Sequence, residues 1–218
     1  HAIVQQSLCH KCPSMKKNRI NAIADNLYRY ETMIDQSGLD AENGDLIWNH
    51  TLGGLIRSSP AIYDNKVYIG SILENIGKLY CLNAENGSEI WSYTAEGRVG
   101  GSPAVGYGNV YIGTYYNQDN NKASFYCLNA LNGTQIWNFT TQLSIVSSAS
   151  IADSKVYIGL GGSFNASKGN IACFNALNGD CIWDYPTDRP ATSSPAICKG
   201  KLYASSYEGS LYCFCDDL

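Results

Sequence analysis

Charge is what this chain has least of. Only 16% of its 218 residues are charged, 15 Lys and Arg against 19 Asp and Glu, for a net of −4. Binding nucleic acid takes clustered basic side chains to neutralise phosphate, so no nucleic-acid partner is expected. Histidine is scarce: His1, His10 and His50 are the full set, and they offer no Ser/His/Asp arrangement for nucleophilic catalysis. No apolar run approaches the roughly 18–20 residues that a helix needs to cross a bilayer, so no transmembrane segment is expected. No signal peptide is visible, and the chain starts at His1 rather than Met, as a mature or trimmed product would.

What is present is apolar and small-polar. The hydrophobic fraction is 44%, enough for a real core, and the polar character comes from Asn, Gly, Ser and Tyr. Asn-x-Ser/Thr sequons stand at Asn49, Asn86, Asn132, Asn138 and Asn165. Those at Asn86 and Asn132 fall in Asn-Gly turns, where turn geometry alone accounts for them. The composition and the remaining sequons lean toward an extracytoplasmic place, secreted or at the cell surface.

One phrase occurs four times. It reads Leu39-Asp-Ala-Glu-Asn-Gly-Asp-Leu-Ile-Trp48, then Leu82-Asn-Ala-Glu-Asn-Gly-Ser-Glu-Ile-Trp91, Leu128-Asn-Ala-Leu-Asn-Gly-Thr-Gln-Ile-Trp137 and Phe174-Asn-Ala-Leu-Asn-Gly-Asp-Cys-Ile-Trp183. The tryptophans stand 43, 46 and 46 residues apart. A period in the forties with one Trp per period is that of a propeller blade. Each period divides into four short strands bounded by Gly, Asn or Pro. In the second unit these are A (Ser102–Val105), B (Asn109–Gly113), C (Ser124–Leu128) and D (Thr134–Phe139), with the Asn-Gly hairpin between C and D. The predicted fold is all-β: a propeller of four four-stranded antiparallel blades over residues 39–218. The chain ends on a C strand, and a D strand near Asp45–Thr51 precedes the first A strand. Pairing these two would complete the last blade and close the ring, which removes open sheet edges.

The four phrases resemble the signature Leu-Asp-Ala-x-x-Gly-x-x-x-Trp of the quinoprotein-type, PQQ-like propeller family, and the resemblance runs from Leu39 to Phe214. Members of that family usually carry seven or eight blades. Three arrangements are therefore open: a four-bladed ring, half of an eight-bladed ring made as a homodimer, or part of a longer protein. The resemblance raises a quinone-dependent dehydrogenase. Such enzymes place a vicinal Cys-Cys disulfide over the quinone and a calcium or lanthanide ion beside a catalytic Asp; this chain has no Cys-Cys dipeptide, so PQQ is not expected as a cofactor. The branch without cofactor, which includes the lipoprotein that assists outer-membrane protein assembly, implies a non-catalytic scaffold for a protein or glycan partner. A structural repeat unit in a larger surface assembly is the remaining alternative.

Cysteines 81, 127, 173 and 213 recur at one strand-C position and are expected in the core. Strand C lies about 9–10 Å outside strand A, so opposite members are too far apart to share a zinc ion. Cys9, Cys12, Cys181, Cys198 and Cys215 break the repeat. Cys9-His-Lys-Cys12 is half a zinc site that Cys215, Cys198 or His10 could complete, or else a disulfide or an unpaired pair. It belongs to a non-repeating arm, residues 1–38, with a helix expected from about Met15 to Ile34. The variable D–A and B–C loops mark the binding face. They carry Arg57, Arg98 and Arg189, suited to holding an anionic group, and Tyr115, Tyr116, Asn117, Phe164, Tyr207 and Glu208, of which the tyrosines suit contact at low entropic cost.

Overall fold

The computed structural model describes residues 45–117, 122–162 and 167–215. The arm of residues 1–38, with Cys9, Cys12 and the expected helix, lies outside them, as does Phe164. The described residues form fifteen strands and no helix. The first sheet, blade 1, holds β1 (Ala61–Tyr63), β2 (Lys66–Leu73), β3 (Ile76–Asn83) and β4 (Glu89–Ala95). Blade 2 holds β5 (Ala104–Gly106), β6 (Asn109–Gly113), β7 (Ala123–Asn129) and β8 (Gln135–Thr141). Blade 3 holds β9 (Ser150–Ala152), β10 (Lys155–Leu160), β11 (Gly169–Asn175) and β12 (Cys181–Thr187). Blade 4 holds β13 (Ala196–Cys198), β14 (Lys201–Ser205) and β15 (Leu211–Cys215). Every sheet is an antiparallel meander in chain order.

The repeated phrase explains the outer hairpin of each complete blade. The first Asn uses its side-chain oxygen to accept backbone N–H groups two and three residues on: Asn83 from Glu85 and Asn86, Asn129 from Leu131 and Asn132, Asn175 from Leu177 and Asn178. The second Asn accepts from the residue two further on, as Asn132 does from Thr134. The glycine then turns the chain at φ +71, +73 or +77 in Gly87, Gly133 and Gly179, a region that a Cβ disfavours. A register shift follows in each case, between Cys81 and Leu82, Cys127 and Leu128, and Cys173 and Phe174.

The tryptophans join one sheet to the next. Trp91 packs its ring on Gly133 of blade 2 and donates its indole N–H to Ala130 O at 3.2 Å; Trp137 does the same to Gly179 and Ala176 O of blade 3. Trp48 takes the equivalent place on Gly87 and Ala84 O of blade 1, at 2.9 Å. Apolar clusters fill each joint. Phe125 and Trp137 meet Val156 and Phe174 between blades 2 and 3, and Leu52 and Trp48 meet Ile69 and Leu82 at the start of the array.

A pair of small residues before each innermost strand supplies a second joint. Ser58, Ser147 and Ser193 each donate to and accept from the backbone of their own blade's second strand, at Gly70, Gly159 and Ser205. The next residue links blades: Ser59 N–H donates to Ser102 Oγ, Ser102 N–H to Ser148 Oγ, and Ser148 N–H to Ser194 Oγ. The innermost strands accordingly touch in the order β1, β5, β9, β13. Those of blades 1, 2 and 4 begin two residues later than the sequence suggests, and that of blade 3 begins at Ser150, one residue later than the expected Ala149. In blades 1, 2 and 3 the Ser N–H is spent on the neighbouring blade, and in blades 1, 2 and 4 the Pro that follows the Ser has no N–H to give.

The closing pairing expected of the first D strand is not formed among the described residues. Residues 45–51 belong to no ladder, and blade 4 stops at β15. One expectation about the thiols changes with it. Cys81, Cys127 and Cys173 are wholly buried, each opposite the Trp of its own outer strand, whereas Cys213 is exposed. Position in the repeat does not bury a thiol; the strand laid over it does.

Candidate functional site

Loops of blades 1 and 2 enclose a cleft of about 680 Å³. Gly54, Leu55 and Arg57 enter it from the segment ahead of β1. Ile72, Leu73, Glu74 and Asn75 come from the β2–β3 hairpin, Arg98 from the β4–β5 connection, and Tyr115, Tyr116 and Asn117 from the β6–β7 loop. Backbone pairing holds the walls. Leu55 and Ile72 exchange N–H···O bonds at 2.7 and 2.8 Å, and Tyr115 N–H donates to Arg98 O at 2.8 Å. Tyr116 N–H donates to Ser144 Oγ of the loop after blade 2. Gly54 has φ +90, and a Cβ there would stand 2.2 Å from Ile72 O, so only glycine allows this approach.

The two arginines of the cleft have different tasks. Arg98 clamps the β2–β3 turn: its Nε donates to Glu74 O at 3.0 Å and its Nη2 to Asn75 Oδ1 at 2.6 Å. Glu74 sits in this turn at φ +55, which costs a side-chain-bearing residue some strain. Arg57 makes no hydrogen bond or ion pair among the described residues, so its guanidinium is available to a carboxylate. Leu55 and Leu73, 62% and 57% exposed, give the cleft apolar surface beside it.

Four of the six binding residues expected from the sequence, Arg57, Arg98, Tyr115 and Tyr116, therefore line one cleft. Arg189 and Tyr207 do not line it. Arg189 Nε donates to Glu208 Oε1 at 2.6 Å, so its charge is already matched, and Tyr207 N–H donates to Pro190 O. The three arginines do not converge. Leu73, Glu74 and Asn75 also line the cleft, although in the sequence Leu73-Glu-Asn75 reads as ordinary turn chemistry. Cys215 lies exposed on β15, across from Lys201. Among the described residues no three His, Cys, Asp or Glu side chains are grouped as metal ligands.

Strongly shifted titrating groups sit inside the blades rather than in the cleft. Burial pushes the Cys81 thiol up to about 11 and the Cys127 thiol up to about 12. Burial likewise drives the Tyr68 and Tyr111 hydroxyls far upward. Both hydroxyls donate to backbone carbonyls of the next blade, Ala130 O and Ala176 O, so they brace the joints.

The family described as outer membrane protein assembly factor BamB matches residues 35–217. The chain belongs to this PQQ-like repeat family. No curated protein matches it. Among solved structures, BamB from Moraxella catarrhalis is 21% identical, with a TM-score of 0.61 over 78% of this chain and 50% of its own. The quinohemoprotein alcohol dehydrogenase ADHIIG from Pseudomonas putida HK5 is 19% identical, with a TM-score of 0.62 over 74% of this chain and 30% of its own. The computationally designed Ika4 protein is 13% identical, with a TM-score of 0.62 over 78% of this chain and 98% of its own. This PQQ-like chain thus spans half the length of BamB and less than a third of the dehydrogenase, and at these identities the likeness is one of fold.

Proposed function

We propose that the chain is a non-catalytic binding platform that takes a protein partner at the cleft between blades 1 and 2. The observation that carries this reading is Arg57. It is a cation with no hydrogen-bond or ion-pair partner among the described residues, set beside exposed Leu55 and Leu73 and lining the same cleft as two loop tyrosines. A peptide or loop bearing one carboxylate flanked by apolar side chains would satisfy all three features, in the manner of an anchor in a pocket. The family description names an assembly factor of the outer membrane, which supports a protein rather than a glycan as partner and an extracytoplasmic, envelope-associated setting.

The dehydrogenase among the structural neighbours raises a quinone cofactor, and the residues on hand do not fit one. No two of the nine cysteines are adjacent in the sequence. The innermost strands β1, β5, β9 and β13 carry no carboxylate to hold a cation beside a quinone.

A random peptide library selected on the immobilised protein tests the reading. Peptides combining Asp or Glu with apolar side chains should be enriched. Arg57→Glu should weaken them at least about tenfold, roughly 1.4 kcal/mol. Enrichment of peptides without acidic residues, or equal binding to the variant, would count against it.

A further inference from the structure

Between Lys122 and Asp153 the chain has no charged side chain, and this stretch holds β7, β8 and β9. β8 is the outer strand of blade 2, and no strand pairs with its outer side among the described residues. An open edge invites pairing with other chains unless a charge, a proline or a cover blunts it. β12 of blade 3 has Asp184 and Pro186 within it, and β4 of blade 1 has Glu89. β8 is seven residues, Gln-Ile-Trp-Asn-Phe-Thr-Thr, with neither charge nor proline, the composition of a segment that stacks on its own kind. Where β12 has Asp184, β8 has Asn138, the first residue of the sequon Asn138-Phe-Thr140. Side chains two apart share one side of a strand. Trp137 and Phe139 thus pack into the joint with blade 3, while Asn138 and Thr140 are both exposed. Among the described residues Asn138 Oδ1 accepts one long bond, 3.3 Å from Gln135 Nε2, and the Thr140 hydroxyl makes none. The sequons at Asn86 and Asn132 differ. Their side chains are spent in turns, accepting from Ser88 N–H and from the N–H and hydroxyl of Thr134. Turn geometry accounts for those two and does not account for Asn138.

We propose that Asn138 carries an N-linked glycan and that this glycan guards the β8 edge. The donor is an oligosaccharide joined to a lipid diphosphate. Asn138 Nδ2 bonds to the anomeric carbon as the bond from that carbon to the diphosphate oxygen breaks. The lipid diphosphate leaves with the electron pair, and Nδ2 gives up one proton. Asn-x-Ser/Thr is the pattern such a transfer reads, and its product is bulky and solubilising and needs a place at the surface. β8 supplies that place. The sugar leaves from the exposed side of the strand, and Trp137 and Phe139 keep their contacts on the other side. A glycan here fills the space that a second strand would need, and it does so without a charge. The inference rests on the extracytoplasmic setting proposed above. It does not rest on the cleft, which Asn138 does not line.

The test uses protein isolated from the cells that make it naturally, with fractionation of the same cells. Fragmentation mass spectrometry should find the peptide that contains Asn138 heavier by a set of sugar residues, attached at Asn138. Asn138→Gln and Thr140→Ala should each remove that mass, the second with the asparagine still in place, and both variants should aggregate faster on warming. Asn138→Lys, which puts a charge where the glycan stood, should restore solubility. Peptide binding at the cleft should be the same in all three. A bare Asn138 in protein found outside the cytoplasm overturns the proposal and leaves the setting intact. A bare Asn138 in protein found in the cytoplasm overturns both. A glycan whose loss leaves aggregation unchanged overturns the guarding role.

Discussion

At the scale of single residues, the fold rests on a few positions where chemistry leaves no choice. Gly133 combines φ +73 with a place directly under the Trp91 ring, where a Cβ would stand 2.6 Å from Cε3. Gly133→Ala therefore meets both backbone strain and overpacking, and should cost about 2–4 kcal/mol in a urea denaturation series; a change below about 0.5 kcal/mol would show that the joint is slack. Much at this scale was legible in the sequence, because Asn-x-x-Asn-Gly names its own turn. The fate of the arginines was not. Arg98 is engaged by a hairpin about two dozen positions back in the chain, and Arg189 by Glu208, and nothing in local composition announces such pairings.

At the scale of the strand, burial depends on what lies outside. Cys127 is sealed beneath β8, while Cys213, at the same point of the repeat, is open. Burial raises the thiol pKa in the folded state, to about 11 for Cys81 and about 12 for Cys127. The neutral thiol is the form that suits the fold. This contribution is thus fully present below the ordinary thiol range near 9 and is lost as pH rises through about 11–12. A thermal-shift series across pH 8–12 should show stability falling above about 9, and the fall should diminish in Cys81→Ala/Cys127→Ala; an unchanged profile would assign the alkaline loss to other groups. The strand count per blade was readable from the alternation of Gly, Asn and Pro with β-branched and aromatic runs. The onset of each innermost strand was not, since it depends on a Ser N–H reaching a hydroxyl 43 or 46 residues away.

At the scale of the whole molecule, the array is a row of sheets held by like joints, and its stability is nearly a sum over neighbours. The period of the tryptophans made four blades legible. It could not say how the row ends, because periodicity describes the joint between neighbours and not the angle that successive joints accumulate.

The serine chain has a further consequence. Blades 1, 2 and 3 each hand an N–H forward to the next blade, so the row has a direction, like a tape whose segments carry the same plug and socket. Segments built this way are interchangeable in principle. A duplication of one whole period, cut at the connection between β8 and β9, would reproduce every bond on both sides of the insertion. The gene could therefore change the number of blades without altering any single joint, and the spacing of 46 residues that separates Trp91, Trp137 and Trp183 is the unit in which such change would be made.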